Sequence, residues 1–248
     1  MGRNGQKVQR RHLEGHSSSS SFVQRKGNSM KRSNKAYFIS AWLALPVMLL
    51  VASLCSIPFV KTGNVTAVLI CTVVAEALTI ILLVPRDDFS DILSLRRPRR
   101  WWYVVVAGLA GVAAFFLLQV VSIICAYVGY SMSSSQTSQQ ITTSGGVAMF
   151  VIAPIVAPIM EEFLFRGVIF RGLDTRFPTW AAVVVSALLF SVVHCQGLSS
   201  FSDIALLVWI FVLGAVNAVA VKRTNCIWVP IALHVCYNSA TVAATLLV

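Results

Sequence analysis

The chain has 248 residues, of which 57% are hydrophobic and 12% charged, with a mean hydropathy of +0.78 and a net charge of +11. These proportions exclude an ordinary soluble domain and define a polytopic membrane protein. The positive charge does not signal nucleic acid, because the Lys and Arg residues lie in a tail and in loops beside apolar spans rather than among aromatic stacking residues.

Residues 1–35 carry nine Lys or Arg, one Glu and the run Ser17 to Ser21, with nothing apolar long enough to form a core. They read as a disordered basic cytoplasmic tail that orients the first span, with anionic membrane lipid as the competing partner. The apolar run that follows, Ala36 to Val60, is 25 residues long and outruns the core of a cleaved signal peptide, so it reads as an anchor. Six further spans follow: Thr66 to Val84, Trp101 to Tyr127, Val147 to Phe170, Thr179 to Cys195, Ile204 to Val221 and Ile227 to Val248. Alternating the seven places nineteen of the twenty Lys and Arg residues on one side, with Lys61 alone opposite. This asymmetry predicts an all-α transmembrane bundle of about seven spans, eight if one segment is re-entrant, with the N-terminus cytoplasmic. Residues 36–146 would hold three spans and 147–248 a separate functional unit. Arg96 to Arg100 and Trp101-Trp102-Tyr103 read as an interfacial anchor, and Ser131 to Gly146 as an extracytoplasmic connection. The cysteines (55, 71, 125, 195, 226 and 236) show no metal-type spacing and behave as small apolar residues.

Within the fourth span stand three ionisable residues, Glu161, Glu162 and Arg166. A charged group at bilayer depth costs at least a few kcal/mol, about 2.5–3.5 on insertion scales, and usually has a function. On a helix Glu162 and Arg166 are four apart with the acid first, the favourable order for an ion pair. Glu161 lies about 100° around the helix and remains available for chemistry. His194 closes the fifth span, and His234 and Asn238 share one face of the seventh. At a rise of about 1.5 Å per residue, Glu161, His234 and Asn238 fall roughly 13, 10 and 16 Å from the cytoplasmic ends of their spans, and His194 roughly 22 Å. The outlier requires a fifth helix that begins deeper or tilts. Glu76 and Gln119 are the other polar residues inside spans; Glu76 reads as a hydrogen-bonding group between helices, with membership of a relay as the alternative.

The series Glu161-Glu162-x-x-x-Arg166, Phe190-x-x-x-His194 and His234-x-x-x-Asn238 resembles the CAAX prenyl protease and bacteriocin-processing (ABI) family of intramembrane endopeptidases. Phe165-Arg166-Gly167, Leu213-Gly214 and Trp228-Val229-Pro230 extend the likeness, which covers about residues 147–242. Asn225 stands where relatives commonly have Gly, and Asn also tolerates the left-handed conformation. The resemblance implies that Glu161 activates a hydrolytic water, that His194, His234 and Asn238 complete the site, and that Glu162 and Arg166 support it. It leaves two versions open: a zinc ion held by Glu161, His194 and His234, or a metal-independent Glu base with His and Asn binding the oxyanion. The implied partner is a peptide or membrane-protein substrate, in the cell membrane of a bacterium. A non-enzymatic immunity or scaffold protein and an ion-coupled transporter are the competing classes. The transporter is disfavoured because matching Gly/Pro-broken helices are not evident in two halves of the chain.

Overall fold

Inside a bilayer the backbone must satisfy its own hydrogen bonds, and this chain does so with helices. The structure, a computed structural model, describes residues 34–84, 98, 100–130, 148–195, 198 and 200–247. The basic tail, most of the arginine-rich loop and the Ser131 to Gly146 connection fall outside these residues. Seven helical stretches follow one another: α1 (Asn34–Val60), α2 (Val65–Leu83), α3 (Trp102–Tyr127), α4 (residues 148–174), α5 (Thr179–Val193), α6 (Phe201–Thr224) and α7 (Trp228–Leu247). Five of them are long and apolar enough to cross a membrane; the others are the composite α4 and the 15-residue α5. Leu82, Leu109, Ile123 and Leu188 expose large apolar side chains on the outer faces, as expected of surfaces meeting lipid. The protein is a multi-pass integral membrane protein.

Local signals set the helix ends. Asn64 caps α2 by accepting the Ala67 N–H at 3.0 Å, and Ser200 and Asp203 form a capping box at the start of α6. The α6 helix ends on Lys222 and Arg223, placed favourably against the helix dipole, and then on Asn225 in the left-handed conformation (φ 49°, ψ 38°). The tolerance expected of Asn at that turn is therefore used, and its side chain also accepts from Arg171 Nη2 at 2.9 Å.

Hydrogen bonds gather one set of helix ends together. Thr175 Oγ1 lies 3.4 Å from the Asn34 carbonyl, Ser40 Oγ donates to the Leu83 carbonyl at 2.9 Å, and Lys222 Nζ pairs with Asp174 at 2.6 Å. This end carries Lys35, Arg171, Arg176, Lys222 and Arg223 and is the one rich in basic residues. Small residues permit the closest contacts: a Cβ on Gly111 of α3 would meet the Leu233 carbonyl of α7 and sit 3.1 Å from the Tyr237 nitrogen. Gly111→Leu is expected to destabilise the protein by about 1–3 kcal/mol, since neither backbone group can rotate away. Its thermal unfolding in detergent would shift down, while Gly63→Ala, with nothing within 4 Å, tests an open position of positive φ.

The α4 helix departs from the regular α-helix expected of it. It runs as a π-helix (Ala148–Val156), an α-helical turn (Ala157–Glu162), a second π-helix (Phe163–Phe170) and a final α-turn (Arg171–Asp174). Pro154 and Pro158 lack the N–H that would continue the ladder, and π segments collect at functional sites. Glu161 and Glu162 sit at the junction of the α-turn with the second π segment. The run also continues past Phe170 to Asp174, which places Glu161 about 20 Å from that end rather than 13 Å.

Candidate active site

Glu162 and Arg166 form the buried floor of the site, both with no side-chain exposure. Arg166 Nε lies 3.1 Å from Glu162 Oε2, an ion pair that lacks hydrogen-bond alignment, since neither atom has a hydrogen-bond partner. The guanidinium also donates through Nη2 to the Gly214 carbonyl at 3.1 Å and lies 4.4 Å from the centre of the Phe190 ring. Glu162 Oε1 accepts from Asn217 Nδ2 at 2.9 Å and from His234 Nδ1 at 2.8 Å. Helices α4, α6 and α7 therefore meet on one carboxylate. Asn217 has no counterpart among the residues expected for the site; an amide in the otherwise apolar Ile204 to Val221 run was the available signal.

Above this floor stands Glu161, whose side chain is 16% exposed. Its Oε2 is 3.8 Å from His194 Nε2 and 3.7 Å from His234 Nε2, and it has no hydrogen-bond partner. Each imidazole is oriented by its other nitrogen: His194 Nδ1 faces the Phe190 carbonyl at 2.8 Å and His234 Nδ1 faces Glu162. Because both partners are acceptors, each Nδ1 carries hydrogen, and each Nε2 is turned toward Glu161. Phe190 lies between the rings, with centroids 4.6 Å from His194 and 5.7 Å from His234. Asn238 donates weakly to the Ala153 carbonyl at 3.4 Å, a group that Pro158, five residues on and lacking an N–H, cannot serve in the π register.

The structure thus brings together all six residues singled out in the sequence. The helix bearing His194 does begin at Thr179, not deeper. For Glu161 the depth discrepancy closes from the other side, because α4 runs on to Asp174; His234 stays six residues, about 9 Å, from the start of α7 at Trp228. Arg166, counted with the charges that set topology, is fully enclosed by the site. The interhelical hydrogen bond expected of Glu76 is not made, its Oε2 being buried without a partner, and Gln119 is exposed.

Glu161, His194, His234 and Asn238 line one cavity of about 360 Å³, walled on its other side by α1 and α2 through Met48, Leu49, Leu69, Val73 and Glu76. Two imidazoles and a carboxylate are the right donors for zinc. Their 3.7–3.8 Å spacings, however, exceed the roughly 3.3 Å between ligands on a tetrahedral ion with bonds near 2.0–2.1 Å. Among the described residues no group of three or more His, Cys, Asp or Glu is placed to hold a metal. The residues as arranged do not close on an ion.

An all-helical membrane protein whose buried polar groups converge from three helices on a glutamate pair defines a narrow class. Residues 143–240, about two-fifths of the chain, match the family model of the Rce1-like type II CAAX prenyl endopeptidases. Among curated proteins, YdiL of Bacillus subtilis (strain 168) is 33% identical over 94 residues, 38% of this chain and 36% of its own. The membrane-embedded CAAX protease MroQ of Staphylococcus aureus (strain USA300) is 28% identical over 164 residues, 62% of this chain and 63% of its own. The chain thus spans about a third of YdiL and somewhat under two thirds of MroQ. No solved structure matches.

Proposed function

We propose that the chain is an intramembrane endopeptidase in which Glu161 activates water for attack on a peptide bond. The observation that carries this is the placement of one Glu161 oxygen, without a hydrogen-bond partner, between two imidazole Nε2 atoms at the edge of a cavity. The match of residues 143–240 to the endopeptidase family model and the similarity to the membrane-embedded CAAX protease MroQ support it.

Water held by Glu161 Oε2 gives up a proton to that carboxylate as its oxygen attacks the carbonyl carbon. The carbonyl oxygen gains negative charge, met by the Asn238 amide and by an imidazole Nε2 already protonated from cavity water before the attack. At His234 such an imidazolium lies against the Glu162 carboxylate, an arrangement analogous to the carboxylate that steadies histidine in hydrolytic triads. The proton on Glu161 then passes to the departing nitrogen as the C–N bond breaks. Glu162 and Arg166 position His234 and do not meet the peptide. No step requires a metal, so an excess of 1,10-phenanthroline is expected to leave turnover within about twofold, whereas a zinc-dependent site would lose activity.

The test is a comparison of peptide termini in membranes of cells carrying the wild-type protein or Glu161→Ala. A set of termini present only with the wild type, at equal protein levels, is the expected result; identical sets would remove the enzymatic assignment.

A further inference from the structure

Glu76 is a carboxylic acid in the middle of α2, outside the segment matched to the peptidase family. It is 3% exposed, Oε2 is buried with no hydrogen-bond partner, and among the described residues no cation pairs with it. An intramembrane carboxyl is costly and tends to face a functional cavity, and this one lines the cavity that holds Glu161, His194 and His234.

Depth agrees. The Thr175 contact with Asn34 sets the level of the basic end, and the Ser40 bond to Leu83 lies six residues up α1, about 9 Å. Glu76 is seven residues farther along α2, so it stands about 20 Å from the basic end, level with Glu161. The wall around it is made of apolar side chains from α1 and α2, and the Thr72 hydroxyl donates to its own helix at the Val68 carbonyl. A peptide entering such a cavity brings backbone N–H groups that lose water and need acceptors. Glu161 is committed to water and the helix carbonyls to their own ladders, whereas Glu76 has an acceptor to spare.

We propose that Glu76 is a substrate-binding residue contributed by the N-terminal half of the chain, its carboxyl accepting a backbone N–H of the bound peptide beside the scissile bond. This rests on the endopeptidase reading above. It makes α2 part of the site and gives the matched segment a specificity element it does not itself encode.

The full-length protein would be compared as wild type, Glu161→Ala, Glu76→Leu and Glu76→Gln, first by membrane termini in cells. One peptide whose terminus depends on Glu161, made synthetically, then serves for kinetics in detergent. Glu76→Leu, with no acceptor, is expected to raise KM about tenfold with kcat within about threefold, and Glu76→Gln, which keeps one, to restore KM to within about threefold. N-methylation of one amide within two residues of the cleaved bond should raise KM about tenfold for the wild type yet add less than twofold to Glu76→Leu. Because this last comparison can start from methylated peptides on the wild type and Glu76→Gln alone, poor folding of the leucine variant does not stop it: if methylation at each position within two residues of the cleaved bond leaves KM unchanged for both, the proposal is overturned. Loss of kcat and thermal stability together in Glu76→Leu, with KM unchanged, would also overturn it as a structural effect. Termini that depend on Glu161 but remain independent of Glu76 in the leucine variant sink this proposal alone; termini that do not depend on Glu161 sink the endopeptidase reading and this proposal with it.

Discussion

Glu161→Gln is expected to lower turnover by about 10²–10⁴-fold, the contribution of a positioned general base, while the protein accumulates at its normal level. The separation of the two effects follows from geometry. Glu161 Oε2 makes no hydrogen bond, and both imidazoles take their orientation from Phe190 and Glu162 through Nδ1. An amide of the same shape therefore leaves the framework in place and removes only the proton acceptor. The measurements are the cleavage rate of a peptide with a Glu161-dependent terminus, set against protein level and thermal unfolding. The same substitution divides the peptidase from an immunity or scaffold protein, because a purely structural cluster would keep its biological effect with Gln at this position.

How far the sequence reveals this arrangement depends on the range of each interaction. The Glu162 and Arg166 pair was legible because it is local, four residues apart on one turn, and the ion pair persists although the backbone widens into a π-helix after Glu162. Glu161, His194, His234 and Asn238 stood out because ionisable and amide groups are conspicuous among apolar residues. What helix-face reasoning could not supply is which groups pair across helices: that His234 binds Glu162, and that Asn217 joins them, are facts of how α4, α6 and α7 pack. The π register was signalled by Pro154 and Pro158, but proline alone equally predicts a kink. Depth counted from Phe170 erred because charged residues from Arg171 to Asp174 remain helical. There Arg171 reaches Asn225 and Asp174 receives Lys222, so the polar end of the helix is held by partners distant in sequence.

Arg166→Met is the change expected to damage the protein most. It leaves the fully buried Glu162 carboxylate without its cation, and breaking a buried pair from one side typically costs about 3–5 kcal/mol. That is comparable with the whole stability of a small domain, so little protein should accumulate in the membrane. Replacing both partners, as Glu162→Met with Arg166→Met, removes the uncompensated charge and is expected to recover most of the lost stability. Recovery should be incomplete, since Asn217 Nδ2 and His234 Nδ1 both lose their acceptor and unsatisfied buried donors cost about 1–3 kcal/mol each. Activity should not return with the fold. Without Glu162 the His234 ring has no partner to hold its Nε2 toward Glu161, and its imidazolium has no carboxylate beside it. Thermal unfolding and cleavage rate measured on the same preparations distinguish the cases: a double variant as stable as the wild type and fully active would show that the buried quartet neither orients His234 nor serves the reaction.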